Sequence, residues 1–166
     1  TVTEALAVAC EDLVPVRDPI AAALHLPAVT RSERVVSDRV DELVAQFGLG
    51  DRRDAFVREL STGTRRILDL ACAVAANPHV LLLDEPSAGL ARAEADELAP
   101  VLQGIRDDLG TTLVVIEHDL QLLRAIADRL VALDVGRVIA TGPPDQVLGD
   151  PAVVAAYLGT AEVPSP

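Results

Sequence analysis

The periodicity of hydrophobic positions changes character near residue 79. Before it, apolar residues recur at helical spacing; after it, short apolar runs alternate with helical stretches. Thr1-x-x-Glu4 and Thr30-x-x-Glu33 both fit a capping box, in which a hydroxyl and a carboxylate satisfy backbone N–H groups at a helix start, so a helix is expected from each. The second places Val36, Val40, Leu43, Val44 and Phe47 on one face and ends at Gly48, with a loop punctuated by Pro15, Pro19 and Pro27 before it. From Gly63, the residues Ile67, Leu70, Ala71 and Val74 predict a further helix that Asn77-Pro78 stops. The run Val80-Leu81-Leu82-Leu83 suits a strand covered on both faces, and Pro86 forbids its continuation. Beyond it the pattern predicts a helix from about Arg92 to Asp108 with Pro100 inside it, a strand over Thr112 to Glu117 and a helix over Leu120 to Asp128. Two short strands around Asp134–Arg137 and two short helices opened by Pro143-Pro144 and Pro151 complete the chain, with Glu162–Pro166 expected as a frayed tail. Strands alternating with helices imply a parallel sheet with crossover helices.

Composition narrows the class. A chain of 166 residues, 50% hydrophobic and 24% charged, can bury one good core, and with only Phe47, Phe56 and Tyr157 aromatic that core must be aliphatic. A formal net charge of −12 disfavours nucleic acid as a partner, because phosphate backbones are held by clustered Lys and Arg. The most apolar stretch, Ala71–Leu83, is shorter than the ~20 residues that cross a bilayer and is broken by Asn77, Pro78 and His79. No secretory leader pattern is visible at the N-terminus. Cys10 and Cys72 lack the paired spacing of a disulfide framework or a zinc site, so a reducing cytosol is the default expectation.

The candidate chemistry lies where the apolar strand stops. Asp84 and Glu85 follow it directly, and upstream Ser61 and Gly63 open a helix whose hydroxyl, amides and dipole could face an anion. Taken singly, each has a plainer reading: Ser-x-Gly before a helix is usually a cap, an Asp-Glu pair after a strand is usually a solvated turn, and a lone His such as His118 is usually surface. Arg65 and Arg66 sit in a first helical turn, where cations are mildly disfavoured, so an interaction role stands evenly beside a plain solvated surface for either. His25 and His79 carry no functional expectation. A phosphate-binding G-x-x-x-x-G-K-[ST] loop is not present in these residues: there is no lysine, and no two of the ten glycines are five apart.

Taken together, in order and spacing, these segments resemble the ATP-binding cassette (ABC) ATPases. Leu60-Ser61-Thr62-Gly63-Thr64 is similar to the LSGGQ signature, Val80–Asp84 with Glu85 to Walker B plus the catalytic glutamate, Ser87–Ala91 to the D-loop, and His118 within Ile116–Asp119 to the switch histidine. Glu117-His118-Asp119, Asp128-Arg129, Thr141-Gly142-Pro143 and Ala156-Tyr157-Leu158-Gly159 are most similar to ATPases of branched-chain amino acid importers. The resemblance implies an α/β fold with a P-loop NTPase-like (RecA-like) parallel sheet core, of which this chain holds the second half only. Residues 1–78 would be the helical subdomain with the signature, and 79–166 the Walker B, D-loop and switch-histidine half, beginning just after the Q-loop. It implies ATP and Mg²⁺ as cofactors, with Asp84 holding Mg²⁺ through a water, Glu85 polarising the attacking water and His118 contacting the γ-phosphate. Ser61, Thr62, Gly63 and Thr64 would bind the ATP of a partner cassette in trans. The partners would be a second cassette and transmembrane permease subunits or domains, with no nucleic acid, at the cytoplasmic face of the cell membrane. Thr62 and Thr64 replace the usual Gly and Gln of the signature, and Ala91 replaces the usual acidic residue or Asn of the D-loop. The expected function is ATP hydrolysis that powers solute import. The alternatives are a non-catalytic cassette remnant, or a DNA-maintenance or translation ATPase of the same superfamily, which the acidic charge and the lack of a long heptad coil disfavour.

Overall fold

The computed structural model describes residues 1–11 and 27–157, with the side chains of 27–30 left aside. The proline-punctuated stretch and the C-terminal tail read from the sequence therefore fall largely outside the described residues. In chain order the elements are α1 (Val2–Ala9), α2 (Pro27–Gln46), 3₁₀ turns at Gly50–Arg52 and Val57–Glu59, α3 (Thr62–Val74), β1 (Val80–Asp84) and α4 (Arg92–Asp107). Then come β2 (Thr112–Ile116), α5 (Leu120–Ile126), β3 (Leu130–Asp134), β4 (Arg137–Gly142), α6 (Pro144–Leu148) and α7 (Pro151–Tyr157). They gather into two compact units, Thr1–Val115 and Ile116–Pro166.

In the first unit, α1 starts at the expected capping box: Thr1 Oγ1 accepts from the Glu4 amide, and the Glu4 carboxylate reaches back to the N-terminal ammonium at 2.6 Å. Val2, Leu6 and Cys10 are its buried stripe, packed against α2 and α3. The helix expected to begin at Thr30 begins at Pro27, so Thr30 lies inside it; a proline's fixed φ and missing N–H suit the first turn, where no intrahelical partner waits for that group. Of its expected face, Val40, Leu43, Val44 and Phe47 are buried and Val36 is half-buried. At its end Gly48 takes φ +64°, its amide reaches Ala45 O at 3.3 Å and the buried Leu49 amide reaches Val44 O at 2.9 Å, a Schellman closure that uses two terminal carbonyls. The α3 helix turns Leu68, Leu70, Ala71 and Val74 inward, while Ile67 is only half-buried. Its last carbonyls are closed from another helix: the Arg39 guanidinium of α2 donates to Val74 O at 3.2 Å, to Ala75 O at 3.3 Å and to Asn77 Oδ1.

Thr112 N donates to His79 O at 2.9 Å, and Thr111 Oγ1 to Pro78 O at 3.0 Å. These bonds set the starts of β2 and β1 side by side, the arrangement of a parallel pair joined through α4. The expectation that β1 is covered on both faces does not hold among the described residues. Val80 is 53% and Leu82 73% exposed, and Val114 of β2 is 50% exposed, whereas Leu81 and Leu83 on the opposite face of β1 are half-buried.

In the second unit β3 and β4 form an antiparallel hairpin closed by Asp134↔Arg137, with a register irregularity at Ala132/Leu133. Its two turn residues, Val135 and Gly136, both have positive φ, the twist that a two-residue hairpin demands. Leu130, Ala132, Val147 and Val153 form the core of this unit, and the Tyr157 hydroxyl donates to Leu133 O at 2.8 Å.

Candidate functional site

The N-terminus of α3 is assembled from a cap. Ser61, extended at φ −61° and ψ 163°, accepts the Thr64 amide on Oγ at 3.1 Å, and its hydroxyl also meets Thr64 Oγ1 at 3.1 Å. Thr64 thus spends its hydroxyl on the cap. Thr62 is exposed in the first turn, and Arg65 folds back to donate to Leu60 O at 3.3 Å. Gly63 is buried, and its amide donates to Oε1 of Glu94 at 3.0 Å. The other Glu94 oxygen accepts the Ala91 amide at 3.2 Å, one half of a capping box at the start of α4 whose other half an alanine cannot provide. The Gly63 amide, then that of Ala91, then the Ser61 hydroxyl hold the Glu94 carboxyl below its usual range. So the helix end read as an anion site does hold an anion, a carboxylate of its own chain.

At the other expected motif, Asp84 closes β1 and is exposed. Glu85 follows in the left-handed region at φ +45°, also exposed, and Pro86 is buried beneath the turn. Ala88 N donates to Glu85 O at 3.0 Å and Leu90 N to Ser87 O at 3.1 Å, and Gly89 takes φ +76°, so the segment after the strand is a tight double turn leading into α4. In the first unit the Glu94 side chain joins Gly63 to Ala91, at the end of the turn that follows Asp84 and Glu85. His118 belongs to the second unit; it is exposed and immediately precedes Asp119, whose Oδ1 caps α5 by accepting from Gln121 N at 2.8 Å and Leu122 N at 3.1 Å.

Among the described residues no three acidic, His or Cys side chains cluster as a metal cage. An exposed carboxylate such as Asp84 at a strand end fits Mg²⁺, which keeps most of its water and relies on substrate phosphates. Sequence reasoning missed Glu94. Its signal was a Glu three residues after a helix start, disguised because the residue at that start is Ala91 and not Ser or Thr.

Comparison with known proteins adds an independent line. Residues 14–88 match the family model for the ABC transporter, and residues 137–163 that for the branched-chain amino acid ATP-binding cassette transporter. The chain is 34% identical over 138 residues to the high-affinity branched-chain amino acid transport ATP-binding protein LivG of Escherichia coli K12, covering 83% of this chain and 54% of that protein. It is 39% identical over 132 residues to the methionine import ATP-binding protein MetN 1 of Rhodococcus jostii, covering 80% and 38%. To the cobalt import ATP-binding protein CbiO of Rhodobacter capsulatus it is 44% identical over 124 residues, covering 75% and 44%. The chain thus spans about half the length, or less, of these curated relatives. Among solved structures, MJ1267 in its ADP conformation, an ATP-binding cassette of an ABC transporter, superposes with a TM-score of 0.73 at 27% identity, covering 96% of this chain and 63% of that one.

Proposed function

We propose, from the premise that this chain belongs to the ATP-binding cassette family, that it forms part of the ATPase subunit of a solute importer. The observation that carries this reading is the anion held at the start of α3: the Gly63 amide already binds a carboxylate, in the sequence context of the signature. In the complete subunit, Ser61, Thr62, Gly63 and Thr64 would meet the γ-phosphate of ATP held by a second cassette. Asp84 would hold Mg²⁺ through a water, and the metal would supply neutralisation of charge on the transferring phosphoryl group. Glu85 would orient the attacking water and accept its proton, and His118 would contact the γ-phosphate. The 166 residues contain no lysine and no phosphate-binding loop, so this chain alone would not turn over ATP.

Branched-chain amino acids are the cargo we favour. The match over 137–163 to the branched-chain family model and the LivG similarity support it, against the methionine and cobalt relatives. Permease subunits or domains would carry the solute path and tether the ATPase to the membrane; no helix of the described residues is long and apolar enough to cross one. The test is Glu85→Gln in the complete subunit. Removal of a general base costs typically 10²–10⁴-fold in rate, so hydrolysis should fall by about that factor while an ATP-bound dimer accumulates on size-exclusion chromatography. Wild-type turnover in the variant would remove Glu85 from its role. Uptake of labelled leucine, methionine and Co²⁺ by the reconstituted transporter separates the cargoes.

A further inference from the structure

Glu94 stands outside the signature, outside the strand-end acids and outside every role given above, yet it sits on the signature's most useful group. Oε1 accepts from the Gly63 amide at 3.0 Å while Oε2 accepts from Ala91 at 3.2 Å, so the carboxylate is a bridge between the starts of α3 and α4. Its approach is close enough to explain the glycine. A Cβ at residue 63 would lie 2.8 Å from both Cδ and Oε1 of Glu94, and Gly63 is not among the residues with positive φ, so glycine here gives the Glu94 carboxylate room to reach the amide and serves no backbone conformation. The same contacts hold the carboxyl below its usual range.

An amide has one proton, and an acceptor already holding it must leave before another can take it fully. We infer that Glu94 is an internal competitor of the incoming γ-phosphate. It satisfies the signature while the partner cassette is away, and its displacement is a step that ATP-driven closure must perform. The inference rests on the proposed trans role of Ser61–Thr64. The exchange is favourable because the γ-phosphate brings more negative charge than a carboxylate to the same helix end. Glu94 keeps the Ala91 amide during the exchange by pivoting about the start of α4, which ties the turn after Glu85 to occupancy of the signature. It is a positioning residue, acting through the amides of Gly63 and Ala91.

The experiment uses the complete subunit in a Glu85→Gln background, so that the ATP-bound dimer persists, and reads dimer formation against MgATP concentration by analytical ultracentrifugation. Glu94→Gln keeps the shape and loses the charge, and a charge-assisted hydrogen bond is roughly twice as strong as a neutral one. Glu94→Asp keeps the charge near α4 but is a methylene too short to span both amides. Both should form dimer at about five-fold lower MgATP, the effect of weakening one such bond, with nucleotide affinity of the monomer unchanged; a purely structural role would raise the requirement. Ser61→Ala separates the two layers of argument. An unchanged or raised MgATP requirement in both Glu94 variants, with Ser61→Ala still impairing the dimer, overturns the competitor and leaves the signature reading standing. A dimer indifferent to Ser61→Ala overturns the signature reading and the competitor with it.

Discussion

Replacing Arg39 by Met should loosen the helix that presents the signature, from its far end. The guanidinium closes three acceptors at the C-terminal end of α3, Val74 O, Ala75 O and Asn77 Oδ1, and its fourth contact is to Glu42 at 3.1 Å. The side chain is only 13% exposed, whereas Glu42 is 65% exposed, so the two kinds of contact differ in weight. An exposed i,i+3 ion pair contributes about 0.3–0.5 kcal/mol. Hydrogen bonds from a charged donor contribute about 1.5–3 kcal/mol each when well formed; the two to backbone are long, at 3.2 and 3.3 Å, and belong at the weak end. Met retains the packing of the aliphatic stem, so the loss is mainly that of the carbonyl closure, about 2–3 kcal/mol in total. For a domain of this size that lowers Tm by roughly 5–10 °C. Circular dichroism at 222 nm on Arg39→Met and Glu42→Ala measures both. If the two variants melt within about 1 °C of each other, the energy lies in the ion pair and the reasoning about α3 is wrong.

The remaining predictions concern single residues. Asp119→Ala should destabilise the second unit by about 1 kcal/mol through loss of the α5 cap, with Asp119→Asn nearly neutral; denaturant titration measures it, and equal losses in both would point to charge and not capping. Val135→Asn should stabilise by about 1 kcal/mol, because a β-branched residue at φ +44° in a hairpin turn is strained where Asn is not; a lower midpoint would contradict that. Glu94 gives a pH dependence with a definite sign. Its carboxyl titrates below the 4.5 expected of it unfolded, so the unfolded chain binds more protons in that window. Its stabilisation is therefore complete above 4.5 and fades as pH falls through the lowered value. Glu94→Gln should flatten the acid limb of the stability profile, and an unaltered limb would show that the carboxylate does not hold the two helix starts together.

Much of this was legible in the chain because local chemistry and tertiary need agree. Thr1 with Glu4, Gly48 after an apolar stripe, Asn77-Pro78 and the strand ending in Asp84 each encode their own boundary. Where the reading slipped, something distant decided. Pro27 outcompeted Thr30 for the start of α2, and in α3, which packs against α1 and α4, Leu68 proved more deeply buried than Ile67 while Leu70, Ala71 and Val74 kept their expected places. The outward face of β1 carries the residues of a two-sided strand, but cover is a property of neighbours and not of the strand. The bridge made by Glu94 joins residues 31 apart in sequence, and no periodicity could pair them.

The twist of the backbone at Glu85 has a further consequence. A left-handed φ costs an L-residue other than glycine about 1–2 kcal/mol, and glycine nothing. The position that bears the proposed base is thus one where glycine would relieve a backbone strain that any other side chain keeps. Glu85→Gly should melt later than Glu85→Gln while being no more active, so thermal resistance and turnover pull in opposite directions at this one Cα. Screens that reward heat tolerance alone would drift toward an inert, sturdier protein here.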